Sequence, residues 1–450
     1  MDYEKKLSTA AQTIKPSGIR KFFDLANQME GVISLGVGEP DFATPWKIRE
    51  AAIYSIEKGR TFYTANRGLL ELRQEISNYY YRRFGVHYDP EKEIIVTVGG
   101  SEGIDIAVRS LMNPGDEMII LDPGYVAYEP SVILSGGVPV RIHLEEKDEF
   151  KLTPEKLKAA ITPKTKVIIP VDLGGVPCDY DRIFSIVEKK KELFTPSNDI
   201  QSKFGRIIVC ADTAHAFGSS WHGKPIGSVA DFSSFSFHAV KNFTTAEGGA
   251  LTWKHRDDID GDELYKTAQL LSLHGQSKDA LSKNQLGSWE YDIVGPWYKC
   301  NMTDIHAAIG LAQMVRYPAL LKRRREIIEK YDRAFKPLGV HTLTHFTNEH
   351  ISSGHLYITR IFKKNGEPVS DGERREIIIK MAERGIVTNV HYKPLPMMTA
   401  YKKLGFDIKD YPNAYAQYAN EITLPLFSRL TDEEVDYIID NYTDVIKEYI

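Results

Sequence analysis

Two apolar runs near the middle of the chain each lead to a charged side chain: Arg206-Ile-Ile-Val-Cys-Ala-Asp212 and Asp231-Phe-Ser-Ser-Phe-Ser-Phe-His-Ala-Val-Lys241. Further strand-like runs lie at 93–98, 117–121, 138–144, 166–171 and 248–253, and helical patterns such as 102–111 and 154–160 lie between them. Several of these runs lack clean polar–apolar alternation, as expected for strands that are covered on both faces. Strands that alternate with helices predict a three-layer α/β/α domain around a mostly parallel seven-stranded sheet.

A long charged helix is predicted to connect this domain to a second one. The amphipathic pattern at 318–335 begins with a proline and stops before Lys336-Pro337. Strand candidates at 355–362 and 386–391, and a helix after the capping box Thr431-Asp-Glu-Glu434, then predict a smaller α+β domain. The expected divisions are an N-terminal segment 1–45, a large domain 46–317, a connecting helix 318–338 and a C-terminal domain 339–450.

Composition excludes several classes of protein. The 450 residues carry a formal net charge of −4, whereas binding to nucleic acid calls for a basic face. Cys178, Cys210 and Cys300 form no CxxC pair, which predicts a reducing compartment and no zinc ribbon. The chain shows neither a signal-peptide h-region at its start nor an apolar run of membrane-spanning length. We therefore expect a cytoplasmic enzyme with small-molecule partners, no metal, and no nucleic acid or membrane partner.

Lys241 is the strongest candidate for a reactive residue. It follows a Ser-rich strand end and precedes the glycine pair Gly248-Gly249. Most lysines are solvated, but loops at the carboxyl ends of strands in α/β sheets form ligand sites. A lysine amine in such a loop can form an imine with an aldehyde cofactor if burial or nearby cations lower its pKa. Ser236, at the end of the same run, offers a hydroxyl to a phosphate.

Asp212 ends the neighbouring strand-like run. A carboxylate at that place can keep the nitrogen of a pyridine cofactor protonated, so that the ring acts as an electron sink. Alternatively, the aspartate only caps the following turn, but the presence of Lys241 about one strand later favours the first reading. His215 either contacts the cofactor ring or is a hydrogen-bonded core histidine, and both readings stay open.

A glycine turn joins another predicted strand to a helix at Val98-Gly-Gly-Ser-Glu-Gly103. The backbone N–H groups of Gly100, Ser101 and Glu102, together with the helix dipole, could form a phosphate cradle. A nicotinamide-binding site is the alternative, but the GxGxxG spacing and an acidic partner for the ribose are missing. Tyr125, just past the next strand, either stacks on a pyridine ring or is an ordinary exposed aromatic residue.

Together these motifs resemble the fold type I enzymes that use pyridoxal 5'-phosphate (PLP), which implies that Lys241 carries PLP as a Schiff base. From about residue 152 to the C-terminus the chain resembles the DegT/StrS family of sugar aminotransferases. The matching segments are Pro170–Gly175, Asp212–Gly218, Gly227–Phe232, Ser236–Gly249, Asn301–Gly310 and Val390–Pro394. In that family the residues at Asp212, His215, Ser236 and Lys241 contact the cofactor, and the one at Asn301 reaches the partner's phosphate in a homodimer.

From about residue 13 to 140 the chain instead resembles class I aminotransferases of the aspartate and aromatic type. The matching segments are Ser34–Phe42, Tyr63–Arg73, Val96–Gly103 and Asp122–Tyr128. This resemblance implies that Ser101 and Glu102 offer amides to the phosphate, that Tyr125 stacks on the ring, and that Tyr63 reaches the phosphate of the partner subunit. The two resemblances meet near 161–166 and predict a mosaic chain.

The resemblances predict a PLP-dependent aminotransferase that transfers an amino group from glutamate to a nucleotide-linked keto-sugar. The carboxylate-binding arginine of class I enzymes has no clear counterpart near the end of the chain, which favours the sugar. The alternatives are a class I amino-acid aminotransferase, and a PLP-binding protein without turnover.

Overall fold

The computed structural model describes residues 43–60, 65–122, 124–125, 127–145, 148, 150–277, 292–295, 297, 299–398 and 406–450. Its strands are β1 Ile94–Thr97, β2 Glu117–Asp122, β3 Val138–His143, β4 Thr165–Ile168, β5 Ile208–Asp212, β6 Ser220–Trp221, β7 Lys224–Pro225, β8 Phe232–Ser236, β9 Gly249–Trp253, β10 His341–Thr342, β11 His350–Ile351, β12 Tyr357–Arg360 and β13 Glu421–Leu424.

The helices within the same ranges are α1 Trp46–Glu57, α2 Leu70–Phe84, α3 Gly100–Leu111, α4 Tyr128–Leu134, α5 Pro154–Ala160, α6 Tyr180–Lys189, α7 Asp199–Phe204, α8 Gly261–Ser272, α9 Asp304–Met314, α10 Tyr317–Phe335, α11 Asp371–Glu383, α12 Pro412–Asn420 and α13 Asp432–Ile446. None of them is long and apolar enough to cross a membrane.

A seven-stranded sheet with the order β1-β9-β8-β5-β4-β2-β3 forms the centre of the large domain. Its strands run parallel except β9, which pairs antiparallel with both β1 and β8. The predicted fold class is therefore confirmed. Asp212 of β5 pairs with Ser234 of β8, so the carboxyl ends of these two strands lie side by side. This adjacency brings the two sequence motifs into one site.

The sheet is covered on both faces, which explains its unbroken apolar strands. Along β5, Val209 and Ala211 belong to the core on one face. Ile208 and Cys210 belong to the core on the other face. The absence of alternation in the sequence thus reflects burial on two sides.

A separate core lies in the C-terminal region. It joins the second half of α10 to β12, β13, α11 and α13, with Tyr331, Phe335 and Tyr442 fully buried. The first half of α10 packs instead against the core of the large domain through Tyr317 and Leu321. These separate cores support the expected domain boundaries, which we keep as a proposal.

One predicted strand of this region is wrong. Residues 386–391 form no strand, and only Asn389 makes an isolated bridge to Thr423. Strand β12 pairs instead with β10 on one side and with β13 on the other. The predicted capping box is present: the Thr431 hydroxyl accepts the Glu434 N–H, and the Glu434 carboxylate accepts the Thr431 N–H.

Candidate active site

Lys241 lies in a loop that leaves β8 and returns into β9. The loop closes on itself because the N–H of Phe237 donates to Gly248 O (2.7 Å) and the N–H of Lys241 donates to His238 O (2.9 Å). Burial lowers the pKa of the Lys241 amine to about 8, against a smaller opposing effect of the Asp212 carboxylate. At pH 7 about a tenth of the amine is therefore unprotonated, far more than for an ordinary lysine, and a nucleophile requires this form.

Asp212 is buried at the end of β5. Its Oδ1 accepts the N–H of Ala214 (2.8 Å), and its Oδ2 accepts the hydroxyl of Tyr128. Burial raises the pKa of the carboxyl, while these two hydrogen bonds and the charge of Lys241 act in the opposite direction. A protonated ring nitrogen placed beside this carboxylate would relieve the cost of its burial.

The charge of Lys241 acts on three histidines and lowers the pKa of each. Burial and the nearby Lys241 lower the pKa of His391 to about 4, and burial takes the pKa values of His215 and His355 well below their usual range. All three imidazoles are therefore neutral at neutral pH. The rings of His215 and His355 lie 4.3 Å apart at an angle of 35°.

Hydrogen bonds assign the protons on two of these rings. His215 Nδ1 accepts the N–H of Gly174 (3.2 Å), so its proton lies on Nε2. His355 Nδ1 lies 3.0 Å from Asn242 Oδ1, which can only accept, so His355 is protonated on Nδ1. Asn242 also donates to Ser353 O (3.0 Å) and thereby ties the residue after Lys241 to the segment that leads into β12.

The N-terminus of α3 lies against the end of β8. A Cβ added at Gly100 would lie 3.2 Å from both Phe235 O and Ser236 Cβ, closer than ordinary van der Waals contact, so glycine favours this close approach. The arrangement places Ser236 beside the N-terminus of α3, where a phosphate would be stabilised. Ser101 Oγ lies 3.2 Å from the hydroxyl of Tyr125.

Glu102 has a local role in this turn. Its Oε2 accepts the N–H of Val98 (2.6 Å), and its own N–H donates to Gly99 O (3.1 Å). Its Oε1 is buried with no hydrogen-bond partner in the described part of the chain, and burial raises the pKa of the carboxyl to about 8. The amides of Gly100 and Ser101 are therefore better placed than that of Glu102 to hold a phosphate.

These groups fit PLP. An amine with a lowered pKa, a buried carboxylate and a glycine-built helix start beside a serine hydroxyl match the aldehyde, the ring nitrogen and the phosphate of that cofactor. Tyr125, with 51 % of its surface exposed, leaves a ring face available for stacking. Nothing in the described residues forms a cluster of three or more metal-ligating side chains.

Two predicted site residues, Tyr63 and Asn301, stay predictions. Tyr63 lies outside the described residues. Asn301 is described, and its Oδ1 accepts a hydrogen bond from Lys299 Nζ (3.1 Å). The expectation that both residues act on the partner's phosphate stays a prediction.

The sequence did not point to Tyr128, His355 or His391 as site residues. Tyr128 and His391 fall inside quoted motifs, but nothing in their spacing indicates a contact with Asp212 or Lys241. For His355 the sequence predicts only that it begins a strand. Tyr128 bonds to Asp212, which lies 84 residues away along the chain, and His355 bonds to Asn242, which lies 113 residues away. Only the fold brings these pairs together.

Comparison with known proteins agrees with this geometry. The profile of the DegT/DnrJ/EryC1/StrS aminotransferase family matches residues 77–443. A putative sugar aminotransferase from Streptococcus pneumoniae in its PMP form is 46% identical, covers 92% of this chain and 99% of its own, and superposes with a TM-score of 0.81. In its PLP form the same protein is 45% identical with a TM-score of 0.80.

Two proteins of Bacillus subtilis are also similar. The spore coat polysaccharide biosynthesis protein SpsC is 34% identical over 372 residues, which are 79% of this chain and 88% of SpsC. The putative aminotransferase YugH is 50% identical over 212 residues, and this match spans 47% of the chain and 52% of YugH.

Fold, site and comparisons define a fold type I PLP-dependent aminotransferase. Within that class, the chain belongs to the DegT/DnrJ/EryC1/StrS aminotransferase family. The predicted enzyme class and cofactor are confirmed.

The comparisons do not support the class I resemblance or the mosaic. The family profile begins at residue 77, inside the segment likened to class I enzymes, and passes through the expected junction near 161–166. A single sugar aminotransferase structure also covers 92% of the chain. The motifs at 98–103 and 122–128 do not distinguish the two families, because they are expected to bind the cofactor. A phosphate cradle and a stacking ring would serve PLP whatever the second substrate is.

Proposed function

We propose that this protein transfers an amino group from glutamate to a nucleotide-linked keto-sugar. The supporting observation is the uncharged polar lining around Lys241, provided by the neutral imidazoles of His215, His355 and His391. Neutral imidazoles donate and accept single hydrogen bonds, as sugar hydroxyls require. Selection of a carboxylate is best done by the bidentate fork of an arginine.

The arginine whose charge lowers the pKa of His355 is already engaged in hydrogen bonds. Arg324 influences the pKa of His355, but its Nη1 donates to the carbonyl oxygens of Gly354 (2.9 Å) and His355 (3.4 Å). Burial lowers the pKa of this guanidinium to about 10. Its role is therefore to hold the backbone that carries His355, and this supports a site in which an uncharged sugar ring, rather than a carboxylate, lies beside Lys241.

The residues of the site divide the chemistry between them. PLP, when bound, supplies the electron sink for transamination. Asp212 would hold a proton on the ring nitrogen, and Tyr128 and Ala214 N–H orient that carboxylate. The Lys241 amine, with its pKa of about 8, would carry a proton to and from the substrate. Positioned acid–base catalysis of this kind contributes about 10²–10⁴-fold.

We also propose a cytoplasmic homodimer with shared sites. Helix α1 exposes Trp46, Ile53, Tyr54 and Ile56, each with 45–58% of its surface accessible in the single chain. Adjacent exposed apolar side chains of this size are typical of a surface that another protein covers. A two-fold interface would cover this helix on both copies at once.

A comparison of half-reactions tests the substrate. The protein is first loaded with amine from glutamate, and a panel of keto-sugar nucleotides and a panel of keto acids are then offered. We expect the spectrum of the aldehyde form of the cofactor to return with a keto-sugar nucleotide. Lys241→Ala is the control, and its spectrum should not change. Return with aromatic or four-carbon keto acids alone would instead identify an amino-acid aminotransferase. No return with any acceptor would identify a PLP-binding protein without turnover.

A further inference from the structure

A closed set of hydrogen bonds connects His391 to strand β13. The Glu421 Oε1 accepts both the backbone N–H of His391 (2.7 Å) and the hydroxyl of Thr423 (3.2 Å). Thr423 Oγ1 in turn lies 2.9 Å from His391 Nδ1. The backbone N–H of His391 is thus hydrogen-bonded to Glu421 and its ring to Thr423, and both partners belong to β13.

The single hydroxyl proton of Thr423 determines the tautomer of the histidine. An ionised Glu421 can only accept, so Thr423 donates to it and must accept from His391. His391 then carries its proton on Nδ1 and leaves Nε2 with an unshared electron pair. The backbone supports the same geometry, because Asn389 and Thr423 exchange two N–H···O bonds of 3.0 and 2.7 Å.

The polar residues of β13 are buried at considerable cost. Glu421 is fully buried and Thr423 is 5% exposed, and a buried polar group is unfavourable unless hydrogen bonds satisfy it. Burial raises the pKa of the Glu421 carboxyl to about 7, so above that pH it is mainly ionised. Apolar residues at these two positions would need no hydrogen-bond partners, which indicates that these side chains serve His391.

We propose that Thr423 and Glu421 are positioning residues that hold His391 as its Nδ1–H tautomer, so that Nε2 accepts a hydrogen bond from a hydroxyl of the keto-sugar beside Lys241. The choice of hydroxyl as the hydrogen-bond donor rests on the proposed function. The tautomer does not, because it follows from hydrogen bonds within the chain alone.

The tautomer is measured by ¹⁵N NMR of the histidine-labelled holoenzyme at pH 8, where Glu421 is mainly ionised. The signals of His391 among the 13 histidines are assigned by their loss in His391→Gln. We expect a protonated Nδ1 in the wild type and in Thr423→Ser, which keeps the hydroxyl, and loss of this preference in Thr423→Val. A protonated Nε2 in the wild type would overturn the proposal.

Thr359→Val is the matched control. Thr359 is a fully buried threonine on the neighbouring strand β12, and its hydroxyl bonds to Ile422 O (2.7 Å) and Tyr442 rather than to a histidine. We expect Thr359→Val to reduce stability without changing the tautomer of His391. A change of the tautomer equal to that in Thr423→Val would show a general effect of the sheet and contradict the proposal.

Half-reaction kinetics test the link to the substrate. Loss of one oriented hydrogen bond predicts about a three- to tenfold higher KM for the keto-sugar in Thr423→Val, with recovery in Thr423→Ser. Combining Thr423→Val with His391→Gln should add nothing to the effect of His391→Gln alone, because the threonine acts through the histidine. Additive losses would refute the positioning role. If the wild type accepts no keto-sugar, the proposed function fails, and the NMR result still decides the tautomer.

Discussion

Lys241 is the residue on which the chemistry depends, and its lowered pKa makes a direct prediction. Because the pKa is about 8, the unprotonated fraction of the amine rises about tenfold per pH unit below that value and then levels off. The rate at which the apoprotein captures PLP should follow this curve, whereas an ordinary lysine would continue to gain up to pH about 10.4. The readout is the covalent adduct fixed by borohydride.

Lys241→Ala is the control for that measurement, and it should give no reduced adduct. A covalent adduct in this variant would assign the bond to another lysine. A capture rate in the wild type that still rises between pH 9 and 10 would contradict the lowered pKa.

Asp212 and Tyr128 form the second residue-level prediction. Leaving one member of a buried charge pair alone costs about 3–5 kcal/mol, so Asp212→Asn should slow the half-reactions by about 10²–10⁴-fold and affect cofactor retention less. Tyr128→Phe removes one donor to Asp212 Oδ2 and should slow them by about tenfold. Stopped-flow spectroscopy with glutamate measures both rates.

Tyr180→Phe provides the comparison for Tyr128→Phe. Tyr180 is also buried and also donates to a buried aspartate, but its partner is Asp172 (3.0 and 2.9 Å). It should lose stability and retain its half-reaction rates. Equal rate losses in the two variants would mean that the Tyr128 effect is merely structural.

Among the elements, those with one simple pattern were predictable from the sequence. The strand-like run at 117–121 became β2 at Glu117–Asp122, and the helical pattern at 154–160 became α5 at Pro154–Ala160. Apolar runs and a proline start determine such elements locally. Lys241 and Asp212 were found for the same reason, because their motifs lie at the ends of two such runs.

Strand β13 was missed because it breaks the pattern. Its sequence Glu421-Ile-Thr-Leu424 places two polar side chains in a fully buried strand, and the apolar alternation at 386–391 was mistaken for the strand instead. Those polar residues bond to His391 across 30 and 32 positions of the chain. Local patterns cannot reveal a strand whose composition serves a distant residue.

The two strands that carry the site are joined by an ion pair, which makes a prediction at the scale of elements. Arg206, just before β5, forms a bidentate pair with Asp231, just before β8, at 2.7 and 2.9 Å, and Asp231 also accepts the N–H of Val209 (2.9 Å). Both residues are buried. Arg206→Met should therefore cost about 3–5 kcal/mol in the free energy of unfolding.

Urea denaturation of the apoprotein measures this cost, and the double variant Arg206→Met with Asp231→Asn separates its cause. The double variant leaves no unpaired charge in the core and should recover part of the loss. If Asp231→Asn adds a second loss of unfolding free energy as large as that of Arg206→Met alone, the pair stabilises the protein through packing rather than charge.

In the molecule as a whole, the site joins the two cores. Asp212 ends strand β5 and Lys241 and His215 follow strands of the large sheet, whereas His355 and His391 come from the C-terminal region. Within one subunit, the groups proposed to hold the cofactor thus come from the large domain, and two of the proposed substrate contacts come from the C-terminal region. This division is in keeping with a cofactor that stays in place while two different substrates alternate.

Mixed dimers test whether the site also needs the partner subunit. If Asn301 acts on the partner's phosphate, a dimer of one Lys241→Ala subunit and one Asn301→Ala subunit contains one site with both residues intact. Each homodimer of these variants lacks a residue in both sites. Random exchange of subunits should then restore about a quarter of the wild-type activity, because about half of the dimers are mixed and each has one intact site of two. The measurement is activity after the two inactive variants are unfolded and refolded together, with each variant refolded alone as the control. If Asn301 serves its own subunit, every site in the mixture lacks one of the two residues, and no activity returns.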